Sequence, residues 1–286
     1  MTPAGSRPGS DWGTGWAAAA AGPAVAKARR TDSLVTGCMP NRATPNGYDA
    51  VMKYLQGILV SLVLAAGALL PATADAASPV VIELFTAQGC SSCPPADALL
   101  GELARKPNVV ALAYHVDYWD ELGWKDRFAI PEAAPRQLAY VRRMGRSGAF
   151  TPQAVIGGDT SALGSDRGAI NRALAEKRDA LAVVLSRAGA NLQIDLPERW
   201  REPLDLYVIS YLAEATTQIG RGENAHRSLK EFNIVRSFRP LAKWDGTPQQ
   251  RTLPLASIPA DATAVAAVLQ RPGNGAIAGV GTLALR

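Results

Sequence analysis

Two cysteines stand three apart at Cys90-Ser91-Ser92-Cys93, and no other pair of side chains in the sequence is so well spaced for chemistry. Two intervening residues let one sulfur reach the other, so the pair can close a disulfide or release a mixed disulfide. The attacking species in such exchange is the thiolate, and the start of a helix, with its unpaired N–H groups and positive potential, favours it. Cys90, on the strand side, is expected to be the nucleophile and Cys93 the resolving thiol. A permanent structural disulfide, half of a zinc site and a copper site compete with this reading. Zinc as a rule needs four ligands, and beyond the pair the chain after residue 76 offers only His115 and His226, Cys38 lying upstream. No metal and no prosthetic group is expected.

The neighbouring elements must position the pair. Val80–Phe85 is short, apolar and rich in β-branched residues, which predicts a buried parallel strand. Ala96–Arg105 carries Leu99, Leu100 and Leu103 on one helical face. Val109–Val116 predicts a second buried strand, completing a β-α-β unit. Residues 117–130 read as a loop, 132–146 as a helix, Ala154–Ile156 as a strand, and Ser165 as the N-cap of a helix reaching about Asp179. From Leu181 the period becomes two. Strands are expected at Leu181–Ser186, Asn191–Leu196, Asp205–Ala213, Thr263–Gln270 and Ala276–Leu285, with a hairpin turn at Pro272–Gly275.

Other groups fall near the pair by this reading. Glu83 is the lone charge of its strand. A buried carboxylate is costly unless paired, so Glu83 either meets an arginine or the sheet edge, or serves as a buried proton acceptor behind Cys93. His115, Asp117, Tyr118 and Trp119 follow the second strand, at the carboxyl ends where functional groups gather in open α/β sheets. They are candidate substrate-binding residues, with a structural histidine and core-capping aromatics as the alternative. Thr151-Pro152-Gln153 precedes a strand, and X-Pro bonds are the usual home of the cis peptide.

The first part of the chain differs from the rest. Residues 1–51 show no core-forming period and are expected to be disordered or an upstream extension. Met52-Lys53 then leads into the apolar run Gly57–Leu70 and the Ala-rich Pro71–Ala77. This is the pattern of a secretory signal peptide over 52–76, with Met52 as the expected initiator. A retained membrane anchor is the rival, but the run is short for a span. The product is expected to be periplasmic or secreted, free of the membrane after cleavage, where a disulfide persists. Hydrophobic residues make up 48% of the 286 and charged ones 19%, which is ordinary globular composition. The net charge of +5 is spread without a long basic run, which argues against a nucleic-acid partner.

Glu83-Leu84-Phe85-Thr86-Ala87-Gln88-Gly89-Cys90-Ser91-Ser92-Cys93-Pro94-Pro95-Ala96-Asp97 resembles the signature of an exported bacterial family called domain of unknown function 1223. His115–Asp120, Gly123–Asp126, Thr151–Gln153 and Gly222-Glu223-Asn224 with Arg227, Leu229 and Asn233–Val235 resemble its further motifs. The resemblance covers nearly all of 78–286 and specifies no activity. It implies an α/β, thioredoxin-like fold over 77–180; the period of two after Leu181 makes 181–286 an antiparallel β layer, either a small β domain of its own or an extension of the first. That fold would set a cis Pro152 against the cysteines, making Cys90, Cys93, Glu83 and Pro152 the expected catalytic group. His115, Asp117, Tyr118, Trp119, Thr151 and Gln153 would then bind protein or small-molecule thiols and disulfides. Pro94-Pro95 departs from ordinary thioredoxins: the helix is expected to begin only there, with Cys93 nearer its dipole than Cys90. Gln88-Gly89 also replaces the usual bulky residue before the first cysteine.

Overall fold

Val80–Thr86 forms β1, and period-two alternation decides what each of its side chains meets. Ile82 and Leu84 share a core with Leu99, Leu100 and Leu103 of helix α1 (Pro94–Leu103). Val81 and Phe85 pack on the other face, against Tyr140 of α2 (Ala133–Arg143). β2 (Val109–His115) runs parallel to β1, from Val80 opposite Val109 to Thr86 opposite His115. β3 (Gln153–Ile156) pairs antiparallel on the other side of β1, and β4 (Thr160–Leu163) forms the edge. In this computed structural model the structure describes residues 79–179, 181–196 and 200–286, together with Tyr48 and Met52. The expected N-terminal extension, signal peptide and cleavage site fall outside the described residues, apart from those two.

The β-rich half does not stand apart. β8 (Leu204–Gln218) and β9 (Ser228–Trp244) form a long antiparallel hairpin. β9 meets β2 in parallel at Ala113 and Ile234. With β5 (Leu181–Ala182), β11 (Ala264–Gln270) and β12 (Ile277–Ala284), the strands make one nine-stranded sheet ordered β4-β3-β1-β2-β9-β8-β11-β12-β5. No break between compact units falls near residue 180, and the described residues 79–286 lie in a single one. A separate antiparallel layer of β6 (Val184–Ala188), β7 (Asn191–Leu196) and β10 (Gln249–Pro254) covers Leu204, Leu206, Val265 and Ala267. The chain is thus a mixed α/β protein with a large sheet and few helices.

Several elements differ from expectation. Asp166, not Ser165, caps helix α3 (Arg167–Leu174): its carboxylate accepts from the Ala169 N–H. That helix ends at Leu174 rather than near Asp179. The edge strand β4 and all of β9 and β10 lie in stretches too polar to show a strand period.

Glu83 is the clearest correction. Alternation places it with Val81 and Phe85 on the face covered by α2, and Arg136 of that helix reaches it. Arg136 Nε donates to Glu83 Oε1 at 2.6 Å and Nη2 to Oε2 at 3.0 Å. Tyr140 also donates to the carboxylate, and the guanidinium donates further to Gln270 and Asn274. Glu83 is the anion of a fully partnered ion pair, the alternative that the sequence left open, and not a proton acceptor for Cys93. Arg136→Met, which leaves a buried carboxylate uncompensated, is expected to cost roughly 3–5 kcal/mol. Glu83→Leu combined with Arg136→Met should recover most of that loss in urea denaturation, and a double variant as unstable as the single one would contradict this assignment.

Candidate functional site

The cysteine loop leaves the carboxyl end of β1 through a tight turn. Cys90 N–H donates to Ala87 O at 3.1 Å, and Cys93 N–H to Cys90 O at 3.2 Å. The two cysteines form a disulfide with Cα atoms 5.4 Å apart. Cys93 is the N-cap residue of α1, whose first two positions are Pro94 and Pro95, as the sequence implied. Prolines carry no N–H, so this helix start offers fewer free donors than most. Its Ala96 and Asp97 N–H groups are occupied by Cys93 O. The Ser92 hydroxyl lies 3.4 Å from Cys90 Sγ. Both cysteines are 0% exposed, although Ser91 and Ser92 between them are exposed.

Two expected neighbours do converge here. The Thr151–Pro152 peptide bond is cis. Trp119 Nε1 donates to Thr151 Oγ1 at 2.8 Å, and the same residue lies against Gly89, where a Cβ would come within 3.2 Å of Trp119 Cβ. Trp119 thus ties the proline loop to the cysteine loop. Pro152 and Ala96 of α1 both crowd Gly164, where an added Cβ would lie 2.9 and 3.1 Å from their Cβ atoms. Tyr118 and Asp117 are exposed, and the Tyr118 hydroxyl donates to Gln137. The other expected binding residues face inward. Gln153 is buried, donating to Ser161 and accepting from Gln137. His115 is also buried. In this state neither can touch a substrate, which corrects the expectation for both.

His115 belongs to a polar cluster under the loop that the sequence reading did not assemble. Its Nδ1 lies 2.7 Å from Asp126 Oδ2, and its Nε2 lies 3.7 Å from Glu231 Oε1. Gln88 N–H also donates to Asp126, and Gln88 Nε2 to Glu231 and Thr217. Trp124 Nε1 donates to Gln88 Oε1 at 2.9 Å. Asp97, four residues beyond Cys93 on α1, is buried beside Thr86 and this cluster. Spacing of four places it on the same helical face as Cys93, and helical side chains lean toward the N-terminus.

The electrostatics follow from burial and neighbours. Burial lifts Asp97 from the ordinary 3.8 to about 7, against the pull of His115 and Thr86. Burial alone would lower His115, but Asp126 and Glu231 outweigh it and raise the imidazole to about 9. Asp126 is held below the usual range: His115 and the Gln88 and Phe128 N–H groups outweigh its desolvation. Glu231 is raised by burial despite His115, Gln88 and Thr217. The cluster therefore contains a cation, its anionic partner and a carboxyl that can hold or release a proton near neutral pH.

Asp97, Asp126 and Glu231 were missed because each stands alone in the sequence. The clues were the position of Asp97 four after Cys93 and the grouping of Gly123-Trp124-Lys125-Asp126. Asn224, likewise overlooked as a contact, donates from Nδ2 to Gln88 O and to Cys90 O, both at 2.9 Å.

Residues 81–270 match the family model described as protein of unknown function DUF1223. The chain belongs to this family. The X-ray crystal structure of protein AGR_C_4864 from Agrobacterium tumefaciens is similar at 33% identity and a TM-score of 0.64, with 73% of this chain and 96% of that chain covered. HBP35 of Porphyromonas gingivalis aligns at 17% identity and a TM-score of 0.47, over 73% and 76% of the two chains, too distant to support an argument. No curated protein matches.

Asp97 and His115, two of the raised groups, make stability depend on pH. Between about 4 and about 7 the folded protein keeps the Asp97 proton that the unfolded chain has released, so stability falls as pH rises through that window. Between 6.5 and about 9 the folded protein keeps the His115 proton, and stability again falls with rising pH. Asp97→Asn should remove the lower part of this slope, on the order of 4 kcal/mol in full. Denaturation curves taken at several pH values would show it, and a slope below pH 7 unchanged in the variant would mean that Asp97 ionises normally.

Proposed function

We propose that this DUF1223 protein is an exported thiol–disulfide oxidoreductase of thioredoxin-like architecture, with Cys90 and Cys93 as its redox pair. The observation that carries this reading is the Cys90–Cys93 disulfide at the N-cap of α1, with Asp97 buried one turn further along the same helix, where burial raises its carboxyl to about 7. The cis Thr151–Pro152 bond, tied to the cysteine loop through Trp119, supports it. Met52-Lys53 and the apolar run to Leu70 support export to a periplasmic or secreted location, where the partners would be protein or small-molecule thiols and disulfides.

The exchange balances without a cofactor. A substrate thiolate attacks Cys90 Sγ, a mixed disulfide forms, and the S–S bond breaks with its electron pair on Cys93 Sγ. Asp97 supplies the proton that turns this thiolate into a thiol. A second substrate thiolate then attacks the substrate sulfur of the mixed disulfide, releasing oxidised substrate and the Cys90 thiolate. Two electrons pass to the protein, and the reverse sequence reduces a substrate disulfide. Asp97 takes the part that the sequence suggested for Glu83.

A second reading has its own observation. Both sulfurs are buried and the helix start is stripped of two N–H groups by Pro94 and Pro95, which favours a non-catalytic binding module with a structural cysteine pair. The reduction potential separates the two: structural disulfides lie below roughly −300 mV and catalytic ones above. Equilibration of residues 77–286 with dithiothreitol and glutathione buffers is expected to give a value above that limit. Cys93→Ser should trap mixed disulfides through Cys90, and Asp97→Asn should slow turnover roughly 10- to 100-fold near pH 7 while leaving the disulfide able to form. A potential below the limit, with no mixed disulfide trapped, would leave only the structural reading.

A further inference from the structure

The tip of the β8–β9 hairpin sits on the cysteine loop, and the redox reading as stated gives it no part. Residues 219–227 close on themselves through Ile219 N–H to Arg227 O, His226 N–H to Ile219 O and Ala225 N–H to Gly222 O. From this turn Asn224, itself 0% exposed, sends both Nδ2 hydrogens to the carbonyls of Gln88 and Cys90. Its Oδ1 accepts from Arg227 Nη1 at 3.0 Å. Glu223 Oε2 accepts from the Ser91 N–H at 3.3 Å. Gly222, in the left-handed region at φ +78, fits against Trp124, where a Cβ would come within 3.3 Å of the Trp124 Cβ. The tip therefore grips the peptide units on both sides of Cys90.

The arm that carries this tip has few other attachments. β8 pairs with β11 only from Asp205 to Tyr211, and β9 pairs with β2 only at Ile234. Beyond these points, Glu214–Gln218 and Ser228–Phe232 pair only with one another among the described residues. What docks the arm is Asn224 and Glu223 at the tip, Glu231 and Thr217 on Gln88, Glu231 beside His115, the buried Ile219 and Leu229, and Phe232, which fills the space left by Gly101 of α1. Segments held by a small set of contacts open at a lower free energy than the whole domain.

We propose that the β8–β9 tip is a cap latched by Asn224, which shuts the Cys90–Cys93 disulfide from incoming thiols and must lift for exchange to occur. This rests on the redox reading above, and it adds Asn224 as a positioning residue that controls access. An attacking thiolate has to approach one sulfur along the line of the S–S bond, and both cysteines are fully covered while the cap is down. Lifting it frees Cys90 first, because the tip's bonds fall on Gln88, Cys90 and Ser91 and none on Cys93. The lifted state would also open the side of the loop beside exposed Tyr118 and Leu122, which suits a thiol carried on a peptide.

The test uses dithiothreitol as the probe on residues 77–286. One of its thiolates attacks a protein sulfur, expelling the other as thiolate. Its second thiol then closes the cyclic disulfide and releases the protein dithiol. Reduction of the wild type is expected to be slow and only weakly dependent on urea, as local opening exposes little surface. Asn224→Ala should react roughly tenfold faster or more, with the same weak urea dependence, and Glu223→Ala should give a smaller acceleration in the same direction. The reduction potential of both variants should stay near the wild-type value, since the latch bonds to backbone carbonyls rather than to sulfur. Equal rates in wild type and Asn224→Ala would overturn the cap, as would a steep urea dependence that tracks global unfolding. If Asn224→Ala fails to fold, Glu223→Ala carries the same comparison. An accelerated variant whose potential lies in the structural range would uphold the cap and defeat the redox function.

Discussion

Gln88 is the residue on which the arrangement of the cysteine loop depends. It sits just past β1 and is almost completely buried, so every polar atom it carries must find a partner. Its N–H goes to Asp126, its carbonyl to Asn224, its amide nitrogen to Glu231 and Thr217, and its amide oxygen to Trp124. Those partners come from the loop after β2 and from both strands and the tip of the β8–β9 hairpin. One side chain thus fixes three segments around the two residues that follow it, Gly89 and Cys90. A bulky apolar residue in its place could fill the volume but would leave Glu231, Thr217 and Trp124 without this common partner.

The protein buries charge in two places, and the two differ in chemistry because they differ in satisfaction. Glu83 and Arg136 form a bidentate pair completed by Tyr140, Gln270 and Asn274, so each buried charge has its partner beside it. The cluster under the cysteines is unequal. Asp97, Asp126 and Glu231 surround the single cation available from His115, and Asp126 holds it at 2.7 Å. Three carboxylates are costly to keep ionised around one imidazolium in a dry interior, so one of them is raised to about 7 by its burial. That one is Asp97, on the helix that begins at Cys93. The excess of acid groups over cations is what makes this region capable of acid–base work.

Much of the framework was legible because burial imposes a period. β1, α1, β2, α2, β7, β8, β11 and β12 announce themselves by spacing of apolar residues. The same alternation, followed through β1, already puts Glu83 on the face away from α1, but which helix covers that face and whether it carries an arginine at the right turn is a matter of tertiary packing. β9 stayed hidden because two register shifts in its pairing with β8 break the period of two. The polar cluster stayed hidden for a different reason. Its members come from positions 88, 97, 115, 126, 217 and 231, and only the sheet order that sets β9 beside β2 brings them together. Pro94-Pro95, by contrast, delivered the helix start from sequence alone, because proline's fixed φ and missing N–H are local properties.

The position of that helix start bears on which sulfur a thiol would attack. Exchange is fastest when the leaving sulfur is the more stable thiolate. Cys93 is the N-cap of α1, so a negative charge released there lies at the positive end of the helix and one turn from Asp97. Cys90 lies outside the helix, with the Ser92 hydroxyl as its near polar neighbour. In the proposed exchange, attack at Cys90 with departure of Cys93 is then the favoured direction. The reverse step, in which Cys93 displaces a substrate from Cys90, uses the same charge site as its nucleophile. The two prolines weaken the stabilisation by removing two N–H groups, which raises the importance of Asp97: where the helix start cannot hold an anion well, a nearby proton donor discharges it. The grip of the tip on the peptide units around Cys90 rather than on Cys93 follows the same asymmetry, since access matters at the sulfur that is attacked and exclusion of water matters at the sulfur that leaves.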